Sequence, residues 1–394
     1  MSGMFDSKTD KSKRKQERAQ KEERAKKKVR SISIWITSVF LLLFLTALIA
    51  NSGWLQRTLP VVSIDGVDFS AAEYEYFFNS QLIEYVNFYS QIGYPTPDLN
   101  RPFSSQVVDV FVDEETGEMR DITWDDIFTE TTYTSMRRIT GLYNEAKEND
   151  FALTDEDYAA LDAEFEAIRE EAKNENISAD AFLQFYLGFG DNINMRVYKN
   201  ILEFVALAEL YSEYTRSNFE YTDAQIDEYY EENADSIDLF SYRTFTVAYQ
   251  TPDDDVEDME AAIEQAKSDA HDEALGLEET ISNEDDFISA AQSYDEERFA
   301  EPDSTLVEDW RGSSLSADFA EWLTAPERRA GDTTVIEVSS GSAILLFVSR
   351  DNGDYREYVD NILRSDSHSA WVRDITDATG MPIRHFAFFL VNKR

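Results

Sequence analysis

The chain of 394 residues has no cysteine and three histidines. Without thiols it can form no disulfide framework, zinc-thiolate site, cysteine nucleophile or lipid-modified cysteine. His271, His368 and His385 are far apart and no serine-acid pair accompanies them, so we expect surface or capping roles. Walker, GxGxxG, GxSxG and HExxH motifs are also missing. We therefore expect neither a cofactor nor a metal.

Basic residues are scarce beyond the N-terminus. Residues 1–30 carry 12 basic and 5 acidic side chains, which leaves 24 basic and 74 acidic in the other 364. The net charge is therefore +7 before residue 31 and −50 after it, within a total of −43. A surface this acidic repels phosphates, so nucleic acid is excluded as a partner.

One long uncharged run, Ser31–Ala50, has the twenty residues that a helix needs to cross a bilayer. The Lys- and Arg-rich segment before it predicts a cytoplasmic N-terminus and extracytoplasmic C-terminal domains. A cleaved signal peptide is the alternative, but the apolar run is long and no clear cleavage site follows it. We expect a cell-membrane protein with one transmembrane helix.

Beyond a short tether, VVSIDGVDFSAAEYEYFF predicts a strand, an Asp65-Gly66 turn and a helix that begins at a Ser70/Glu73 capping box. Aromatic residues recur along this helix at steps of three and four. Such a stripe usually packs in a core, and the alternative is a client-binding face for extended chains. The residues assigned to that face are Tyr74, Phe77, Phe78 and Tyr85.

The following segments predict a mostly helical domain. Residues 106–122 alternate as a hairpin that turns near Thr116-Gly117, and Thr123 with Asp126 can cap the next helix. Helical patterns then cover 124–149, 155–174, 179–187 and 192–216.

The segment TDAQIDEYYEENADSI predicts a helix capped by Thr222 and Gln225. After it, the spacing of apolar residues changes from helical to alternating. The strand SYRTFTVAYQ, three helical patterns and the strands TTVIEV and SAILLFVSR predict an α+β unit of the order β-α-α-α-β-β. A further helix from Tyr355 and an apolar tail suggest that the C-terminal segment packs back on the first domain.

This arrangement resembles the membrane-tethered extracytoplasmic foldases of the SurA and PrsA type. The resemblance implies an α+β fold: one transmembrane helix, a mostly helical SurA-N-like chaperone domain and a parvulin-like α+β domain. The implied organisation is a cytoplasmic basic tail (1–30), the membrane helix (31–50), a chaperone domain (61–235), a parvulin-like domain (239–351) and a C-terminal segment (355–394).

Parvulin domains place two histidines under the bound proline, within strands of the form R-H-I-L-V and G-Y-H-I-I. Here Thr244 and Ala343 stand at those positions. The resemblance further implies that Leu315 and Phe319 cradle the proline ring, that Trp310 remains from a glycine-rich loop, and that Glu296 occupies the acidic position.

Prolyl isomerisation lowers a rotation barrier of ~18–20 kcal/mol by favouring the twisted amide. Alanine offers no polar atom, so Thr244 with Ala343 cannot replace a histidine pair. We therefore expect a chaperone or foldase that binds unfolded or newly secreted polypeptides and has weak or no isomerase activity. An active isomerase with another set of donors, drawn from Thr244, Glu296 and Tyr242, and a cell-envelope scaffold subunit are the alternatives, and homodimerisation stays open.

Overall fold

The structure is a computed structural model that describes Trp35 and residues 37–42, 53–112, 117–252 and 258–393. In chain order the strands are β1 (Pro60–Ile64), β2 (Val67–Ser70), β3 (Val107–Val112), β4 (Met119–Thr123), β5 (Leu239–Ala248), β6 (Leu306–Arg311), β7 (Thr333–Val338), β8 (Gly341–Asp351) and β9 (Ile383–Arg384). The helices are α1 (Ala71–Tyr89), α2 (Trp124–Glu148), α3 (Asp155–Asn174), α4 (Ala179–Ala181), α5 (Met195–Ser217), α6 (Asp223–Ile237), α7 (Met259–Glu278), α8 (Glu284–Tyr294), α9 (Ala317–Leu323) and α10 (Tyr355–Ala378). The predicted α+β class is confirmed, with mostly helical structure and small antiparallel sheets.

The predicted cytoplasmic tail and most of the predicted membrane helix lie outside the described residues. Trp35 and residues 37–42 are helical. Within the described ranges, no helix combines the length and the apolar character that crossing a bilayer would require.

The chain forms two compact units. The first contains the residues up to Ser217 and those from His368 onward, and the second contains Asn218–Ser367. These boundaries differ from the predicted ones, because α6 belongs to the unit that contains the sheet β5 to β8. The chain therefore passes from the first unit into the second before α6, and it returns to the first unit within α10.

The first unit begins with the predicted strand, turn and helix. Asp65 and Gly66 both have positive φ, 43° and 82°, as a tight hairpin between β1 and β2 requires. The Ser70 hydroxyl accepts a bond from the Glu73 backbone N–H, and the Glu73 carboxylate accepts one from the Ser70 N–H. The predicted capping boxes at Thr123 and Thr222 are present as well. Helix starts in this chain are thus fixed by local sequence.

The C-terminal segment completes the first unit. Strand β9 pairs antiparallel with β1, and the His385 N–H donates to the Val61 carbonyl at 2.9 Å. The ring of Phe388 packs edge-on against Tyr74 at 5.3 Å. The Lys393 ammonium reaches Asp125 at 3.0 Å. The C-terminal segment therefore covers α1, the first helix of the compact unit.

Glu75 is a buried carboxylate at this junction, with 1% of its surface exposed. Its Oε1 accepts bonds from the Asn392 backbone N–H at 2.7 Å and from Asn192 Nδ2 at 3.1 Å. Burial raises the pKa of Glu75 to about 7, and the nearby Asp191 carboxylate adds to the rise. The group is therefore half protonated near neutral pH.

The second unit contains a four-stranded antiparallel sheet of order β6-β5-β8-β7. One face, with Phe245 and Ile344, packs against α7 and α8. The opposite face, with Ala343 and Leu345, packs against the segment that contains α9. The predicted order lacked β6, because the resemblance assigns Trp310 to a loop, whereas Leu306–Arg311 form a strand. Its acidic residues hide the alternation that marks a strand.

Glu75 makes the stability of the first unit depend on pH. The folded chain holds the Glu75 proton more tightly than the unfolded chain, whose carboxyl has its ordinary pKa of 4.5. Its contribution is thus full below that value and is lost as the pH rises through about 7. We expect Glu75→Gln, which keeps an acceptor for Asn392, to be more stable than wild type at pH 8 by on the order of 2 kcal/mol, and equal at pH 4. Urea unfolding of both proteins measures this; an equal loss with pH in both would contradict it.

Gly312 allows close backbone approach in the second unit. A Cβ at this position would lie 1.8 Å from the Asp235 carbonyl oxygen. The Gly312 N–H also donates to the Asp238 carbonyl at 2.9 Å, so the segment cannot move away freely. We expect Gly312→Ala to destabilise the protein by ~1–3 kcal/mol.

Gly276→Ala in α7 is the matched control, because nothing lies within 4 Å of its added Cβ. It should be neutral or stabilising by up to ~1 kcal/mol. Thermal unfolding compares the two variants, and equal effects would contradict the steric explanation.

Candidate functional site

The predicted pocket positions Thr244 and Ala343 lie on adjacent strands, β5 and β8, and on the same face of the sheet. Thr244 pairs with Leu345, and Ala343 pairs with Thr246, so the two positions are offset by two residues. Ala343 is fully buried. The Thr244 Oγ1 is buried too, and it has no hydrogen-bond partner among the described residues.

Leu315 and Phe319 form an apolar cup beside these positions. Both side chains are half-buried and pack against the cluster that contains Ala343 and Leu345. The Phe319 ring meets Tyr242 edge-on, with centroids 6.1 Å apart. Burial raises the pKa of Tyr242, so its hydroxyl stays neutral. The cup is thus an apolar surface with few polar atoms.

Trp310 and Glu296 are placed differently. Trp310 on β6 pairs with Phe240, is 48% exposed, and donates from Nε1 to the Ser314 carbonyl at 2.9 Å. Glu296 is exposed in the segment after α8. Three residues later, Phe299 packs on the sheet face that holds α7 and α8, opposite the face of Ala343. A role of Glu296 in the pocket stays a prediction.

Each histidine contacts a serine hydroxyl, which the sequence did not suggest. Ser63 lies 2.5 Å from His385 Nε2, Ser212 lies 2.7 Å from His368 Nε2, and Ser342 lies 3.3 Å from His271 Nδ1. The Glu337 carboxylate approaches the same Nδ1 of His271, at 3.9 Å. In these contacts no imidazole has a serine on one nitrogen and a carboxylate on the other, as a catalytic triad requires. The described ranges also contain no cluster of side chains suited to a metal ion.

Three of the four residues predicted to form the client-binding face are buried, which contradicts that prediction. Tyr74, Phe77 and Phe78 are 0%, 5% and 1% exposed and belong to the main core of the first unit. Helix α1 is enclosed on this side by other elements, so these rings cannot meet a client. Tyr85 lies about two helical turns after Phe78. It is half-buried and lines an open cleft.

This aromatic cleft lies between α1 and α2 and has a volume of about 390 Å³. Tyr85, Phe88 and Tyr89 line one side, and Ile127 and Phe128 line the other. Phe88 is 60% exposed, and its ring meets Tyr89 edge-on at 5.1 Å. The cleft can therefore accept apolar side chains from an extended chain without a large rearrangement.

The predicted hairpin adds a second apolar surface to the first unit. Strands β3 and β4 pair with each other in a two-stranded sheet, and every residue of β3 is exposed. Five of those six residues are apolar, and Phe111 is 50% exposed. A paired ribbon with apolar side chains on both faces and an open edge can bind another extended chain.

Comparisons with known proteins find structural likeness at low sequence identity. No protein-family model matches the chain, and no curated protein does. Among solved structures, the PrsA peptidylprolyl isomerase of Bacillus cereus shares 12% identity over 71% of this chain and 95% of that chain, with a TM-score of 0.35. The foldase protein PrsA of Streptococcus pneumoniae shares 13% over 68% and 91%, with a TM-score of 0.31.

A structure of SurA-like chaperones from Campylobacter jejuni also matches. It shares 14% identity over 56% of this chain and 82% of that chain, with a TM-score of 0.22. The chain is thus structurally similar to SurA-like chaperones and PrsA foldases. Structural similarity this low assigns neither a functional residue nor an activity to this chain.

The exposed aromatic residues of the cleft should bind clients without stabilising the fold. We expect Phe88→Ser to weaken the binding of an unfolded polypeptide by roughly 5-fold or more, as loss of one aromatic anchor does. The free energy of unfolding should change by no more than ~0.5 kcal/mol, because the ring is largely exposed. Fluorescence titration with a permanently unfolded, reduced polypeptide measures the affinity.

Phe185→Ser provides the control for this change. Phe185 is also an exposed phenylalanine, 70% accessible, but it does not line the cleft. Its replacement should leave the affinity unchanged. If both variants lose affinity equally, general surface hydrophobicity and not the cleft explains binding.

Proposed function

We propose that this chain is a membrane-anchored extracytoplasmic chaperone or foldase that binds unfolded, newly secreted polypeptides. The observation that carries the proposal is the aromatic cleft of Tyr85, Phe88, Tyr89, Ile127 and Phe128, together with the apolar hairpin in the same unit. Unfolded chains expose apolar side chains that fit such surfaces, and several weak contacts permit release.

In this proposal Ser31–Ala50 crosses the membrane once, with residues 1–30 in the cytoplasm. The chaperone domain corresponds to the first unit, which extends to Ser217 and resumes at His368, and the parvulin-like domain of residues 239–351 lies within the second unit. Support comes from the order of elements, from the uncharged length of the apolar run and from the basic residues before it.

The parvulin-like domain is proposed to bind clients and to catalyse isomerisation weakly or not at all. Ala343 contributes no polar atom to the cup formed by Leu315 and Phe319. The cup can thus hold an apolar ring but lacks the paired donors that would favour a twisted amide.

One observation favours active isomerisation as a second candidate. The Thr244 Oγ1 is buried without a partner in the described structure, so a bound peptide could accept its proton in a hydrogen bond. A single such donor contributes on the order of 1 kcal/mol, which is small beside the rotation barrier. We therefore rank this candidate second.

Magnetisation-exchange NMR on a short X-Pro peptide separates the two candidates. Without catalysis, cis/trans exchange takes tens to hundreds of seconds. We expect the full chain in detergent micelles, at equal concentration with the peptide, to leave this rate unchanged while it suppresses aggregation of a denatured client.

The control is Thr244→Val, which removes only the hydroxyl. A large acceleration by wild type that Thr244→Val abolishes would establish an isomerase and overturn the degenerate pocket. Loss of aggregation suppression with unchanged exchange in the Phe88→Ser variant would support the chaperone proposal. If wild type affects neither exchange nor aggregation, the chaperone proposal itself is wrong.

A further inference from the structure

A third exposed apolar surface of the first unit is formed by residues near its N-terminal and C-terminal ends. Its members are Trp54, Leu59, Met381, Ile383, Phe386 and Phe389, which are 53%, 38%, 67%, 64%, 94% and 70% exposed. We name these six residues the terminal patch. They do not line the aromatic cleft, so client binding there does not account for them.

The pairing of β1 with β9 places the two parts of the terminal patch side by side. Val62 faces Arg384, Ser63 faces Ile383, and the His385 N–H bonds to the Val61 carbonyl. The 3-10 helix that follows β9, Phe386–Leu390, also contacts β1, and β1 begins one residue after Leu59. The patch therefore combines residues from both ends of the described unit.

The sequence segments that carry the terminal patch differ in charge from the rest of the chain. Residues 24–64 contain no Asp or Glu, and residues 378–394 contain none either, although the chain has 79 acidic residues. Arg384 is exposed beside the patch. Asp65 and Asp68 of the β1–β2 hairpin are exposed as well, and they accept hydrogen bonds from the C-terminal segment and from β1. An anionic surface would therefore meet one exposed arginine and two carboxylates beside this patch.

The position in the sequence limits how far the terminal patch can lie from the proposed membrane helix. That helix ends at Ala50, four residues before Trp54 and nine before Leu59. A fully extended chain covers at most about 3.6 Å per residue, so Trp54 lies within about 14 Å of the helix end and Leu59 within about 32 Å. The patch is held near the bilayer by the chain itself.

We infer that the terminal patch docks on the bilayer interface and seats the helical unit against the membrane. Tryptophan and phenylalanine partition into the headgroup region, where apolar rings are buried and polar backbone stays hydrated. The exposed guanidinium of Arg384 beside the patch can pair with anionic headgroups. The inference rests on the proposed membrane anchor and adds a second, non-spanning contact with lipid.

Spin labelling tests this directly, because the natural chain has no cysteine to compete with an introduced one. Phe386→Cys carries the label on the patch, Glu156→Cys carries it on an exposed site of α3 in the same unit, and Phe40→Cys carries it in the proposed membrane helix. The full chain is reconstituted in phosphatidylcholine vesicles with and without phosphatidylglycerol. Relaxation by oxygen, which concentrates in lipid, is compared with relaxation by a water-soluble nickel complex.

We expect the labels at 386 and 40 to respond mainly to oxygen and the label at 156 mainly to nickel. Phosphatidylglycerol should increase the oxygen response at 386 and leave 156 unchanged. If 386 responds like 156 while 40 responds to oxygen, docking is wrong and the anchor stands. If 386 responds to oxygen and 40 does not, docking stands and the anchor is wrong.

Two other occupants give different results. A second copy of the chain would shield the label at 386 from both reagents, and the shielding would disappear as the protein is diluted in lipid. A client would shield it only when unfolded polypeptide is added. Either result would overturn the lipid assignment.

Discussion

The pairing of β1 with β9 is the contact on which the first unit depends. It joins residue 62 to residue 384, with the whole second unit between them in the sequence. The Phe388 ring then packs on Tyr74, and Glu75 accepts the Asn392 N–H. Without the C-terminal segment, α1 would expose aromatic rings and a buried carboxylate would lose a donor. The two ends of this unit must therefore meet before its core is complete.

Burial decides which aromatic side chains remain for binding. Helix α1 carries one stripe of rings, but the C-terminal segment and α2 cover its first half and leave Phe88 in an open cleft. Stability and the proposed client binding therefore use different residues of one helix. In the second unit, Ala343 packs in the cluster beside Leu315 and Phe319 and adds no polar atom to the apolar cup.

Local signals in the sequence were enough to place most elements. Capping residues Ser70, Thr123 and Thr222 marked helix starts because their side chains bond within one turn. Strand β6 was missed, because Glu308 and Asp309 interrupt its apolar pattern and it is specified by pairing with β5. The serine contacts of the histidines were missed for a similar reason: two of the three join residues more than 150 positions apart, and the other joins residues 71 apart.

The sequence by itself determined the absence of thiol chemistry, the excess of acidic residues, the uncharged run at Ser31–Ala50 and the presence of threonine at 244 and alanine at 343. These are properties of residue identity and order. Only the tertiary structure decided that Tyr74 is buried and Phe88 exposed, and that Trp54 and Phe386 belong to one unit. Such outcomes depend on which distant segments pack together, and periodicity along one helix or strand carries no information about its partner.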